Sequence, residues 1–117
     1  MSGWFELKKS SDGQFRFLLK AGNGETLLTS ETYHARASAE NGIASVQANC
    51  THDERYERKV SSNGKAFFNL KAANQQVIGT SQLYASEQAR EDDIALVKTN
   101  GTASEIRDLT AAVAEHG

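Results

Sequence analysis

The sequence predicts an α+β fold in which two tandem βββα units share one antiparallel sheet, related by a pseudo-two-fold, with two helices packed on one face. Three observations carry this. Sliding the chain against itself by 51 positions aligns Trp4–Cys50 with Arg55–Gly101 without a gap. Identities run throughout, among them Glu6/Glu57, Gly13/Gly64, Phe17/Phe68, Leu19/Leu70, Asn23/Asn74, Thr29/Thr80, Tyr33/Tyr84, Ile43/Ile94 and Asn49/Asn100. In each copy the apolar residues recur first with a period of two and then at spacings of three and four. Finally, about 50 residues make a marginal core, so each copy needs the other.

Each copy opens with an aromatic strand, Trp4–Lys9 or Tyr56–Val60. Ser-Ser-Asp12-Gly13 and Ser-Ser-Asn63-Gly64 follow, and Asp-Gly and Asn-Gly supply the positive φ angles of tight hairpin turns. The second strand alternates Phe15, Phe17, Leu19 in copy one and Ala66, Phe68, Leu70 in copy two, which buries one face of a sheet. Gly22-Asn23-Gly24 and Ala73-Asn74-Gln75 turn the chain into a third strand, where Leu27/Ile78 and Thr29/Thr80 are expected to keep the alternation. After Tyr33 and Tyr84 the period becomes helical, with Ala39, Ile43 and Val46, and Ile94 and Val97, on one face. The helices would cover the apolar side of the sheet and leave its other side wet. Phe17, Leu19, Ile43, Val46, Phe68, Leu70, Ile94 and Val97 are the expected core.

The C-terminal segment is read from the repeat. Ile106, Leu109 and Val113 fit a helical stripe, but moved back by 51 positions Ser104–Thr110 lands on Asp53–Lys59, which leaves helix one to become a strand. A strand over 104–110 beside Trp4–Lys9 is therefore expected, with Ile106 and Leu109 buried and contributing at most about 3 to 6 kcal/mol. The chain is read as one domain over 1–117: repeat one about 4–50, repeat two about 55–101, the C-terminal strand, and a frayed tail over 111–117.

Thirteen Lys and Arg against fifteen Asp and Glu give a formal charge of −2, without the strong positive field of a typical nucleic-acid or anionic-membrane binder. The single cysteine, Cys50, excludes an internal disulfide, and the chain has neither a leader pattern nor an apolar run of membrane-spanning length; a cytoplasmic protein is expected. Asn49-Cys50-Thr51 and Asn100-Gly101-Thr102 match the glycosylation pattern only because the repeat doubles a chance match.

No catalytic, metal or cofactor motif stands out. His34, His52 and His116 lie in different segments without partner ligands at helical spacing. Gly22-Asn23-Gly24 joins strand to strand, whereas phosphate-binding loops open a helix. Glu91-Asp92-Asp93 point in different directions on a helix and cannot converge as a dyad. Nothing near Cys50 in sequence would lower a thiol pKa.

Two sets of residues are candidates for a site. Thr29, Ser30 and Tyr33 with Thr80, Ser81 and Tyr84 keep hydroxyls in both copies where strand three feeds the helix. A pseudo-dyad would bring both sets to one groove; the plainer reading is that they satisfy backbone groups at that corner. Arg16, Lys20, Phe67 and Lys71 interleave basic and aromatic residues on the outward side of the second strands, as in sheets that stack single-stranded bases. The acidic balance makes nucleic acid the weaker candidate.

The chain resembles the YegP-like family of small bacterial proteins of unknown function. The resemblance rests on Phe17-x-Leu19-Lys20-Ala21-x-Asn23-Gly24-Glu25, Thr29-Ser30-x-x-Tyr33 and Ser38-Ala39-Glu40-Asn41-Gly42-Ile43-x-Ser45-Val46. Copy two carries Phe68-Asn69-Leu70-Lys71-Ala72-x-Asn74, Ile78-Gly79-Thr80-Ser81-x-x-Tyr84 and Ile94-x-x-Val97. It implies βββαβ units, paired or in tandem, with one joint sheet and exchanged C-terminal strands, and no known activity. Copy two departs from copy one at Asp93, opposite Gly42, and at Gln75, opposite Gly24, which puts in question a close helix approach and an identical turn. The reading as a whole is a monomeric, non-enzymatic interaction module without metal or cofactor, its partner unassigned. The alternatives are single-strand nucleic-acid binding through the sheet and, more remotely, an enzyme using the groove between copies.

Overall fold

The computed structural model describes residues 3–110. Its elements run β1 (Trp4–Lys9), β2 (Phe15–Lys20), β3 (Thr26–Thr29), α1 (Arg36–Asn49), β4 (Tyr56–Val60), β5 (Ala66–Lys71), β6 (Val77–Thr80), α2 (Glu87–Asn100) and β7 (Ile106–Asp108). All strands form one sheet in the order β4-β5-β6-β3-β2-β1-β7. Two antiparallel meanders meet at β3 and β6 through one residue pair, Thr29 with Thr80. These are repeat equivalents, so the pseudo-dyad passes between them. No described helix is long and apolar enough to cross a membrane.

The two helices begin differently. Ser86 caps α2 by accepting the Ala89 N–H at 3.1 Å, whereas its counterpart Ala35 has the same extended backbone and no side chain with which to cap α1. They end alike. The Asn49 and Asn100 amides donate to the carbonyls of Ser45 and Leu96, while their oxygens accept from Arg55 Nε and the Gly3 N–H. The twin asparagines are therefore helix-end fasteners, which explains why both copies have one.

All eight expected core residues are buried in one cluster that takes side chains from both helices and both meanders. Each helix packs across the seam: α1 touches β2, β5 and β6, and α2 touches β5, β3 and β2. The repeated aromatics pack in equivalent ways. Phe17 stacks on Tyr33 and Phe68 on Tyr84, at centroid distances of 6.5 and 6.4 Å.

The third strands depart from the expected alternation. A register shift at Leu19/Lys20 leaves Leu27 unpaired, and one at Leu70/Lys71 does the same for Ile78. Such a bulge places two successive side chains against the core, and Leu27 and Leu28 are both fully buried. Thr29 and Thr80, paired with Leu18 and Asn69, consequently lie on the wet face.

Asp93 and Gln75 have different outcomes. At Gly42 an added Cβ would lie 2.7 Å from the Phe17 ring and 2.9 Å from the Tyr33 hydroxyl, so α1 does sit close to the sheet. Asp93 fills the same place in copy two and accepts the Tyr84 hydroxyl at 2.6 Å. Burial, and then this bond to Asp93, pushes the Tyr84 phenol well above its ordinary pKa. Gln75, by contrast, makes the same turn as Gly24, with φ of 75° against 89°. In both turns the asparagine oxygen, Asn23 or Asn74, accepts the N–H two residues on at 3.0 Å.

The C-terminal strand is present but shorter and wetter than expected. β7 runs parallel to β1, pairing Phe5 with Ile106 and Leu7 with Asp108, so the chain returns from copy two to the edge of copy one. Ile106 is 44% exposed because nothing described flanks this edge strand. Polar contacts hold it instead: Phe5 N–H to Glu105 O, Leu109 N–H to Leu7 O, and an Arg36–Asp108 ion pair from α1. The tail expected to fray, 111–117, lies outside the described residues.

Candidate functional site

The hydroxyl set does not gather as a unit. Thr29, Ser30, Thr80 and Ser81 line a groove of about 860 Å³ along the β3–β6 seam, together with Glu25, Glu31 and Gln82. Tyr33 and Tyr84 are not among its lining residues, because they turn toward the core and stack on Phe17 and Phe68. Ser30 and Ser81 are engaged in the same way: each hydroxyl accepts the N–H of Phe17 or Phe68 and donates to the next carbonyl, Glu31 or Gln82. They continue the sheet's hydrogen bonding past the end of the third strand, which accounts for a serine at both positions.

Other candidates of the sequence are also held by the fold. Glu91, Asp92 and Asp93 bond to Arg58, Gln88 and Tyr84, three separate directions. Cys50 is fully buried, and burial raises its thiol pKa. Among the described residues no group of three or more His, Cys, Asp or Glu is placed to hold a metal. His34 and His52 are exposed, and His116 lies outside the described residues.

The four residues of the second set do share one surface. Strand alternation puts Arg16 and Lys20 opposite Phe17 and Leu19, and Phe67 and Lys71 opposite Phe68 and Leu70, so all four lie on the face away from the helices. The cross-strand register extends the list. Lys8 is level with Arg16, Lys59 with Phe67, and Arg107 with Glu6. Six of the chain's thirteen Lys and Arg thus stand on the strands of this face, but only two of its fifteen Asp and Glu, Glu6 and Glu57. The strands of this face are basic on a molecule whose net charge is negative, which net charge alone conceals; Glu25 and Glu31 lie beside them in the seam groove.

Its detail differs between the halves. In copy two a polar row crosses the strands: the Asn69 amide donates to Glu57 at 3.0 Å and the Thr80 hydroxyl to Asn69 at 2.7 Å. The Asn69 amide, and then Lys71, lowers the Glu57 pKa. In copy one Leu18 replaces Asn69, and the row is broken. Half-buried Phe67 lies directly across from Lys59. At the far edge the Arg107 guanidinium covers the Trp4 ring at 3.8 Å, and Glu105 pairs with the same arginine. Lys8, Lys59, Arg107 and Trp4 were missed by the sequence reading because their common face depends on which strands are neighbours.

Comparison with known proteins places this geometry in a family. The model of a domain of unknown function, DUF1508, matches twice, over residues 10–57 and 61–108. Each match ends in a strand that follows a helix, the start of β4 in one copy and β7 in the other. The UPF0339 protein YegP of Shigella flexneri is 66% identical over 110 residues, covering 94% of this chain and all of that protein. The solution NMR structure of YegP from E. coli, a protein of unknown function, superposes with a TM-score of 0.89 at 64% identity, covering 94% of this chain and 95% of the other. The UPF0339 protein SO3888 from Shewanella oneidensis gives 0.91 at 54% identity, covering 100% and 99%. With both repeats matched and the fold shared along nearly its whole length, the chain belongs to the DUF1508 family of uncharacterised UPF0339 proteins.

Proposed function

We propose that this protein is a non-enzymatic interaction module, a cytoplasmic monomer folded as one domain, and that the open face of the sheet is its contact surface for an anionic partner. The observation that carries the reading is the charge asymmetry of the strands: Lys8, Arg16, Lys20, Lys59, Lys71 and Arg107 against Glu6 and Glu57 on one face of a chain with net charge −2, with Glu25 and Glu31 confined to the seam groove and Glu105 to the β7 edge. A surface of one sign attracts the opposite charge locally whatever the sign of the whole. The non-enzymatic part draws support from the seam, where the best-placed hydroxyls, Ser30 and Ser81, are already bonded to backbone.

Retention on an immobilised polyanion such as heparin tests the surface. At pH 7 and low salt the acidic protein should be held and then eluted by salt. Arg16→Gln, Lys20→Gln and Lys59→Gln should lower the eluting salt. Lys9→Gln, on the same strand as Lys8 but pointing to the other face, should not. Failure to bind, or equal loss in all four variants, refutes the reading.

A further inference from the structure

Resting on that reading of the open face, we propose that its anionic partner is single-stranded nucleic acid, laid across the strands with its phosphates on the basic residues and a base on Phe67. The face offers the two parts such a ligand needs, cations spaced to follow a backbone and apolar rings onto which bases can stack. Arg16 and Lys20 lie on β2, Lys59 and Lys71 on β4 and β5, and the Thr29–Thr80 seam, whose groove also carries Glu25 and Glu31, lies between them. At about 4.8 Å per strand the seven strands span about 29 Å, room for several extended nucleotides. Phe67 is half-buried, so its ring is held in place, and cationic Lys59 stands directly across from it. At the other end the Trp4 ring is already stacked by a guanidinium, which a base would displace or extend.

The alternatives fit less well. A folded acidic protein would need a complementary surface for the rings, and a lipid surface would need apolar side chains that project beyond the cations. Within the strands of this face Val77 is the one exposed large aliphatic residue, at 38%, and it borders the central groove. Duplex nucleic acid keeps its bases stacked inside, so it would use the lysines and leave Phe67 idle.

Trp4 is the only tryptophan, so its fluorescence reports on this face without a label. The full chain is titrated with single-stranded RNA and DNA of about 12 nucleotides, with a duplex of the same length, and with phosphatidylglycerol vesicles. Tryptophan quenching and the anisotropy of labelled oligonucleotides are followed across a range of salt. Single strands should bind with quenching, and affinity should fall with salt, the logarithmic slope shrinking by about 0.7 for each phosphate contact removed, as in Arg16→Gln or Lys20→Gln. Phe67→Leu keeps the apolar volume but loses the ring, and should weaken binding about tenfold with little change in slope, while Phe67→Tyr should keep it. Equal affinity for duplex and single strand overturns the proposal, as does full binding by Phe67→Leu or binding to vesicles alone. Retention on heparin with no oligonucleotide binding also overturns it, while leaving the anionic-partner reading intact.

Discussion

Gly101 is predicted to be glycine for reasons of space, and the claim can be tested against its own repeat partner. It follows α2 with φ of −68° and ψ of −12°, ordinary right-handed backbone, so the left-handed angle that usually selects glycine after a helix is absent. Its counterpart, Cys50, has nearly the same backbone and a side chain. The difference lies in the surroundings: a Cβ on Gly101 would come within 2.8 Å of Cys50 Cβ and Sγ, and of Val97 O. The Val97 contact can ease toward the geometry seen at Cys50, whose N–H donates to Val46 O at 2.9 Å rather than the 2.7 Å found at Gly101. The contact with Cys50 cannot ease, because both residues are packed inside. Gly101→Ala should therefore cost about 1 to 3 kcal/mol, the usual range for overpacking. In a Cys50→Gly background most of that cost should vanish, giving a coupling of about 1 kcal/mol or more in a double-mutant cycle. Urea denaturation of the four proteins, checked for unchanged m-values, measures it. A neutral Gly101→Ala, or the same penalty in both backgrounds, would refute the steric account.

Further predictions follow from comparing the copies. Ala35→Ser should give α1 the cap that Ser86 gives α2 and stabilise the chain by about 1 kcal/mol, while Ser86→Ala should cost about as much; thermal melts decide whether the shifts have opposite signs. Gln75→Gly should raise the urea midpoint by about 0.5 to 1 kcal/mol equivalent, since it relieves a left-handed non-glycine residue, and a lowered midpoint would contradict this. A chain ending at Gly101 should lose about 2 to 4 kcal/mol, mainly β1–β7 hydrogen bonds, while one ending at Thr110 should melt like the full chain; equal melting of all three would count against a structural β7. Arg36 holds the Asp108 carboxyl below the usual carboxylate range, so this stabilisation is present above the ordinary aspartate pKa of about 3.9 and fades as pH falls through the lower folded-state value. Asp108→Asn should therefore be less stable than the parent at neutral pH and converge with it in acid. Sedimentation should give the 12.7 kDa monomer and calorimetry one transition; a dimer or two transitions would refute the one-domain, monomeric reading.

Most of the fold was legible because the repeat makes each copy a check on the other. Ile106, Leu109 and Val113 alone suggest a helix; the offset from Asp53–Lys59 instead identifies the strand found at Ile106–Asp108. Burial at Ile106 was not legible, since it depends on β7 being the edge strand of the sheet among the described residues. The bulge was hidden for a related reason: Leu27-Leu28 interrupts the period of two, and sequence does not show which leucine will pair with Leu19. At the candidate site, period two sufficed to place Arg16, Lys20, Phe67 and Lys71 outward, because each strand's own alternation decides that. Joining them to Lys8, Lys59 and Arg107 required the strand order, and averaging charge over the whole chain hid the resulting basic face.

The same comparison shows what fusing the two copies allows. On a true two-fold axis a residue meets its own copy, so both must be small enough to share the space. Here one copy keeps the side chain and the other gives it up. Leu28 fills the space over Gly79, its repeat partner, where a Cβ would touch it at 3.4 Å, and Cys50 does the same over Gly101. At the first pair one leucine against a glycine closes the gap. Once symmetry is broken in the core, nothing obliges the open face to keep it. Asn69 has Leu18 as its counterpart, and Phe67 has Arg16. One half of the face therefore carries a rigid polar row beside an aromatic ring, while the other carries an aliphatic patch beside an arginine. A partner lying across the seam meets different chemistry at its two ends, so a chain with direction, such as a nucleic-acid strand, has a physical reason to bind one way round.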